Sequence, residues 1–284
     1  MILEVADANH PAGGALEMLR KAAFAGDWYP GDRGRLMEAL ESYVGEATGE
    51  DEAVGVVAPH AGYMYSGGVA GAVYGRVRIP DTVVVLCVNH RGLGARAAVM
   101  GAGKWETPLG LVSIQDELAE VFKEKVDFLE EDSAAHVREH SLEMQVPFLQ
   151  YRNRDVRIVP ICLQQLEYTE CAALGEGLAQ AIRDFPTPVL LVASTDMTHF
   201  ETQEEAKRKD MLAIQRVLEV DPRGLYEVVT RQRISMCGFI PTTAVLCACK
   251  SLGVTKGTLV DYATSGDVSG EYSNVVGYAG ISLP

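Results

Sequence analysis

The chain has no CxxC pair, no basic stripe and no run of about eighteen uncharged apolar residues, and each absence removes a class of function. Lysine and arginine number 25 against 39 aspartates and glutamates, a formal charge of −14. A nucleic-acid footprint needs clustered bases that displace counterions, so no nucleic-acid partner is expected. Without a long apolar run no membrane span is expected. Residues 1–26 place acids before any base and lack an apolar core flanked by lysines, so no secretory leader is expected and a cytoplasmic setting follows. The six cysteines are scattered, the closest pair being Cys247 and Cys249 within a predicted helix, and reduced thiols are expected.

What is present is an ordinary globular composition, 48% hydrophobic and 23% charged over 284 residues, enough for a single α/β domain over residues 1–284. Apolar runs at 53–58, 82–88, 155–163 and 189–193 read as strands, and 256–264 and 274–283 as closing strands. Periodic stretches at 32–44, 115–126, 141–151, 169–185, 203–220, 221–230 and 241–252 read as helices. Asp32 and Thr169 are the expected N-caps of their helices, and Pro222 and Pro241 suit first turns. Residues 99–103 and 109–114 suggest a hairpin, and the acidic stretch Glu130-Glu131-Asp132 a solvated loop. Alternation of strand and helix favours a three-layer α/β/α architecture around a mixed, largely parallel sheet.

Three histidines lie just past apolar runs: His60, His90 and His199. In a parallel sheet such positions gather at the carboxyl edge, where open α/β folds bind ligands, and neutral imidazole is the commonest metal ligand. His60 opens a stretch containing Gly62, Gly67 and Gly68, read as a loop that lets backbone approach a ligand, after which Val69–Tyr74 resumes helical character. Asp196, three residues before His199, is expected to orient that ring for acid–base work. Cys237 precedes a predicted helix start, where the helix dipole favours thiolate. His136 and His140 are four apart, but the HExxH order of zincins is absent; His140 could reach the pocket from a helix start, and His136 is expected to be exposed.

Two histidines with one anionic side chain make a three-point face with open positions, the arrangement of non-haem iron sites, and a thiolate in place of carboxylate shifts the preference toward softer ions. The segments Ala58-Pro59-His60-Ala61-Gly62-Tyr63, Glu139-His140-Ser141-Leu142-Glu143-Met144-Gln145-Val146-Pro147, Ser194-Thr195-Asp196-Met197-Thr198-His199 and Cys237-Gly238-Phe239-Ile240-Pro241 resemble, in order and over nearly the whole chain, those of the Memo family. So does Gly26-Asp27-Trp28-Tyr29-Pro30. The resemblance implies a fold similar to class III extradiol dioxygenases, with His60 and His90 as metal ligands, Cys237 where those enzymes use an acid, and His199 as acid–base group. Asp196 and His140 would complete the pocket. It implies a divalent or redox-active metal, iron first, with copper and zinc as alternatives. For partners it implies a small molecule or peptide and, by analogy with prokaryotic members, a radical SAM-associated protein.

Three functions therefore compete. A metal-dependent oxidoreductase, dioxygenase-like, ranks first; a non-catalytic peptide- or metal-binding module second; a metal-assisted hydrolase third.

Overall fold

The computed structural model describes residues 18–46 and 51–284. Residues 1–17, most of the stretch read above as lacking a leader, lie outside the described residues. In chain order the elements are β1 (Leu19–Arg20), α1 (Arg33–Val44), β2 (Gly55–Ala58), α2 (Tyr63–Arg76), β3 (Thr82–Val88), β4 (Ala97–Val99), β5 (Lys104–Thr107), β6 (Gly110–Ile114), α3 (Asp116–Lys125), β7 (Glu130–Glu131), α4 (Ala134–Val137), α5 (His140–Glu143), α6 (Val146–Arg152), β8 (Arg157–Leu163), α7 (Tyr168–Asp184), β9 (Val189–Ser194), β10 (His199–Glu201), α8 (Gln203–Leu218), α9 (Pro222–Gln232), α10 (Phe239–Ser251), β11 (Thr258–Thr264), α11 (Gly266–Ser269) and β12 (Val275–Leu283).

The protein is α/β. Strands β6, β8, β3, β9 and β2 lie side by side and parallel. β12 then joins β2 antiparallel and carries β10 and β11 along its length, so the sheet is mixed. β3 has no polar residue between Val83 and Val88 because both its faces are covered. Val84 and Leu86 face one core with α3, α7, α8, α9 and α10. Val83, Val85 and Cys87 face the other with α1, α2 and α6. Side chains alternate across a strand, so one sequence run feeds two cores and the result is three layers. Among the described residues no helix is long and apolar enough to cross a membrane.

Several expectations change. Gly67 and Gly68 are not in a loop: α2 already begins at Tyr63, directly after the His60 turn. A Cβ at Gly71 would sit 2.3 Å from the Tyr43 carbonyl oxygen, and one at Gly67 would sit 2.7 Å from the Tyr43 ring. These glycines let α1 and α2 cross closely and do not approach a ligand. The helix expected over 141–151 is broken into α5 and α6 around Met144 and Gln145, with Pro147 in the first turn of α6, where its missing N–H leaves no bond unmade. α7 starts at Tyr168 with Glu167 as N-cap in place of Thr169, and the Glu170 carboxylate accepts from the Glu167 N–H (2.7 Å). The acidic stretch is tied down. Glu131 accepts from Gly101 N and Lys123 Nζ, and Asp132 from Ala95 N and Ala134 N.

Candidate metal centre

β3, β9 and β2 are consecutive in the sheet, and each is followed two residues later by a polar side chain at the same edge: His90, Asp196 and His60. Cys237 arrives from another direction, one residue before Gly238, the N-cap of α10. A Cβ on Gly238 would meet the Ser194 carbonyl oxygen at 2.5 Å, so only glycine lets this turn nest on the end of β9. One donor atom each from His60, His90 and Cys237 lie within 4.8 Å of one another. His60 and Cys237 already touch, with Nε2 3.2 Å from Sγ.

His60 is buried, and burial together with the neighbouring His90 pushes its pKa down to about 3, so the ring is held neutral. His90 opens to solvent and is fixed from behind by Glu139: its Nδ1 lies 2.9 Å from Oε1, and its backbone N–H donates to Oε2 at 2.7 Å. Burial works to raise the Glu139 pKa, but hydrogen bonds from His90 and Ser141 outweigh it and hold the group at about 2. An ionised carboxylate only accepts, so Nδ1 of His90 carries the proton and, in the neutral ring, Nε2 keeps its lone pair. Asp196 turns its carboxylate back onto the His60 turn, accepting from His60 N (2.8 Å) and Ala61 N (3.3 Å). Burial raises its pKa.

The Cys237 thiol departs from expectation. Burial pushes it well up, and nearby Asp196 adds to that, so in the metal-free protein the dipole of α10 does not produce a thiolate. Sγ accepts a hydrogen bond from Asp196 N at 3.3 Å. The donor set fits a metal ion. It comprises two imidazoles and a thiol drawn from three separate segments, with donor atoms within 4.8 Å of one another and one side open at His90.

A family model described as Memo-like protein matches residues 20–282. The MEMO1 family proteins of Methanopyrus kandleri and Methanothermobacter thermautotrophicus are each 41% identical to the chain, covering 93% of it and 98% and 100% of their own lengths. The chain belongs to the Memo family. The MEMO1 family protein of Aquifex aeolicus is 39% identical over 265 residues, again covering 93% of the chain and 98% of its own length. Among solved structures, an uncharacterized protein of Escherichia coli K12 aligns with a TM-score of 0.47 at 12% identity, covering 72% of this chain and 87% of its own.

In this Memo chain His140 lines the site. Its ring stacks on His90 (centroids 4.5 Å, 27°) and packs against Trp28 (4.4 Å) and Phe24 (5.6 Å). Burial and nearby His60 push its pKa down to about 3. Its Nδ1 is 3.2 Å from Glu139 Oε1 but out of hydrogen-bond geometry. His199 stands at the edge of the same cluster: its donor atom and those of Asp196 and Cys237 lie within 4.8 Å of one another. Asp196 does not orient it. Nδ1 of His199 is 2.9 Å from the Ser235 carbonyl oxygen, and its backbone N–H donates to Ser235 Oγ at 2.8 Å. A carbonyl cannot donate, so Nδ1 holds a proton, and Nε2 is the nitrogen left to exchange one.

His136, expected at the surface, is fully buried. It sits beside Trp105 (centroids 5.9 Å), and its carbonyl accepts from Arg20 Nε at 3.1 Å, because the strand β1 folds back over this region. Three further residues were not singled out as site residues from the sequence. Glu139 fixes His90, and Ser235 fixes His199. Glu143, completely buried, accepts from Arg20, Ala23 N, Phe24 N and the Tyr29 hydroxyl, and so holds the Phe24–Trp28 wall against His140. The two glutamates flank the pocket histidine in the Glu139–Pro147 motif, which was their only signal. Ser235 had none.

Proposed function

We propose that the protein binds a single redox-active metal ion through His60, His90 and Cys237 and acts as an oxidoreductase on a small molecule admitted at the open side of that face. Iron is the first choice and copper the alternative; zinc, which has no redox chemistry, would favour the metal-assisted hydrolase. The observation that carries this reading is the convergence of those three donors within 4.8 Å from positions scattered along the sequence. A bound redox-active ion would supply electron transfer or oxygen chemistry that no protein side chain here supplies alone.

The chain's own residues divide the remaining work. His60 enters as a neutral ring, so it need not lose a proton to ligate. Cys237 Sγ must lose one, and metal uptake therefore releases a proton. His199 accepts and returns protons at Nε2, since its Nδ1 is committed to Ser235. Asp196 braces the His60 turn through two backbone N–H groups. Phe24 packs edge-on and Trp28 tilted against the His140 ring, forming an aromatic wall on one side. Reduced cysteine ligation suits a reducing compartment, in keeping with a cytoplasmic protein.

The test is anaerobic reconstitution with Fe(II), Cu(I) or Zn(II), followed by metal analysis and oxygen-uptake measurement. One equivalent of metal in the wild-type protein, lost in His60→Ala and Cys237→Ser, is expected. A wild-type protein that retains neither Fe(II) nor Cu(I) near stoichiometry overturns the reading.

A further inference from the structure

The proposed metal reading requires His60 to offer Nε2, and Nε2 has a lone pair only when the ring proton sits on Nδ1. We propose that Ser194 and Gln145 are positioning residues that hold that proton on Nδ1 and so aim His60 at the Cys237 side before any ion arrives. This inference rests on the reading of His60 as a ligand.

The proton inventory is closed by groups that can only accept. Ser194 Oγ donates its single proton to the Ser141 carbonyl oxygen at 2.6 Å. Everything else that approaches Oγ must therefore donate to it. Two groups do: Gln145 Nε2 at 2.8 Å and His60 Nδ1 at 2.9 Å. The Gln145 amide cannot be turned around. Its Nε2 also donates to the Pro59 carbonyl oxygen at 2.9 Å, while its Oε1 accepts from the Tyr74 hydroxyl at 2.8 Å. Tyr74, Gln145, Ser194 and His60 are all buried, so water does not offer an easy substitute partner. With Nδ1 donating, the neutral ring leaves Nε2 bare, and Nε2 is the atom 3.2 Å from Cys237 Sγ.

The chain spends local structure on this arrangement. Gln145 lies in the break between α5 and α6, where a continuous helix was expected, and that break is where its amide reaches both Pro59, next to His60, and the last residue of β9. Ser194, Ser141 and Pro59 come from three different segments, so the device exists only in the folded chain.

The experiment is done on the full chain. Selective 15N-histidine labelling and long-range 1H–15N correlation of the metal-free protein report which His60 nitrogen is protonated, the resonance being assigned by its loss in His60→Gln. Co(II) affinity, read from ligand-field absorbance in competition with a chelator, is measured in parallel. The wild type should show Nδ1 protonated. Ser194→Ala and Gln145→Met should each give mixed His60 tautomers and weaken Co(II) binding by about 10- to 100-fold, the usual range for a residue that orients a ligand. A wild-type ring protonated on Nε2, or variants that keep the wild-type tautomer and affinity, overturns the proposal. Nδ1 protonated in a wild-type protein that binds none of Co(II), Fe(II) or Cu(I) supports the proton placement and overturns the metal reading, so the two failures are distinct.

Discussion

His60 and His136 are both sealed from solvent, and burial pushes each ring down to about 3, yet only one sits in a cluster of donor atoms. His60 has Ser194 at one nitrogen and Cys237 at the other. Neither nitrogen of His136 has a partner of normal hydrogen-bond geometry, and the Ala98 backbone is close without completing one. The charge beside it is Arg20, itself paired with Glu143 and stacked over Trp105 at 4.4 Å. Dryness makes an imidazole neutral, and only fixed partners aim its lone pair. His136 belongs to the packing that joins the β1 region to the rest of the chain.

The largest effect should come from the charge pair on the His136 side. Glu143→Ala leaves the Arg20 guanidinium buried without its carboxylate and frees the N–H groups of Ala23 and Phe24; a loss of about 3–5 kcal/mol in urea denaturation is expected. Arg20→Met with Glu143→Leu should recover only part of it, because the N–H groups of Ala23 and Phe24 and the Tyr29 hydroxyl stay without their acceptor, and a Glu143→Ala variant as stable as wild type would show that the pair does not hold this wall.

Next is the direct contrast between the two rings. His60→Ala should weaken metal binding by at least about 100-fold, beyond the range typical of residues behind a ligand. His136→Phe should leave metal affinity unchanged in the same chelator competition. Comparable losses in both would erase the distinction drawn here.

Acid should act on both rings in one direction. In the metal-free protein His60, His136 and His140 titrate at about 3, below the unfolded value near 6.5, so the unfolded chain binds more protons in between. Their stability contribution is complete above pH 6.5 and is lost as pH falls toward 3. Each ring accounts for up to about 1.4 kcal/mol per pH unit in that window. Glu139, held at about 2, adds a loss of the same sign below the ordinary carboxylate range. From pH 7 to pH 5 His136→Phe should lose about 2 kcal/mol less than wild type; equal losses would mean that His136 protonates freely within the fold.

The smallest effect concerns Phe200. This residue bulges out of β10 at φ 62° and leaves its ring 76% exposed beside His199. Left-handed backbone disfavours a side chain, so Phe200→Gly should stabilise the fold by up to about 1 kcal/mol even after glycine's greater freedom in the unfolded chain is counted. Calorimetry showing a clear drop in Tm would mean that the ring contributes packing after all.

Much of the fold was legible because its signals are local. The strand at Thr82–Val88 was found residue for residue, since an unbroken β-branched run has one reading between two covered faces. Asp32 caps α1 as expected, its side chain accepting from Arg35 N at 3.0 Å. The glycines of α2 were misplaced because a glycine pattern does not reveal whether it serves a ligand or a crossing helix. The acidic stretch is solvated as expected, Glu130 and Glu131 being exposed, but it pairs with β4 as a short strand and is not a loop. The exposed His136 failed because polarity suggests the surface, and here the β1 region covers it. In the site, the placement of His60 and His90 just beyond strand ends was readable, whereas His199, expected to follow the 189–193 run in the same way, opens the separate strand β10. The expected Asp196–His199 pairing was not realised, because Ser235, distant in the chain, supplies the carbonyl that holds the ring.

By itself the sequence determined the central strands β2, β3, β8 and β9, the donor types stationed past their ends and the motifs of the Memo family, since all of these depend on side-chain chemistry and short-range spacing. Only the tertiary structure decided which nitrogen of each ring is bare, that the Cys237 thiol keeps its proton, and which histidine is merely packed. Those states depend on burial and on hydrogen-bond partners from far along the chain, with 134 positions separating Ser194 from His60, and no local pattern specifies the direction of such a bond.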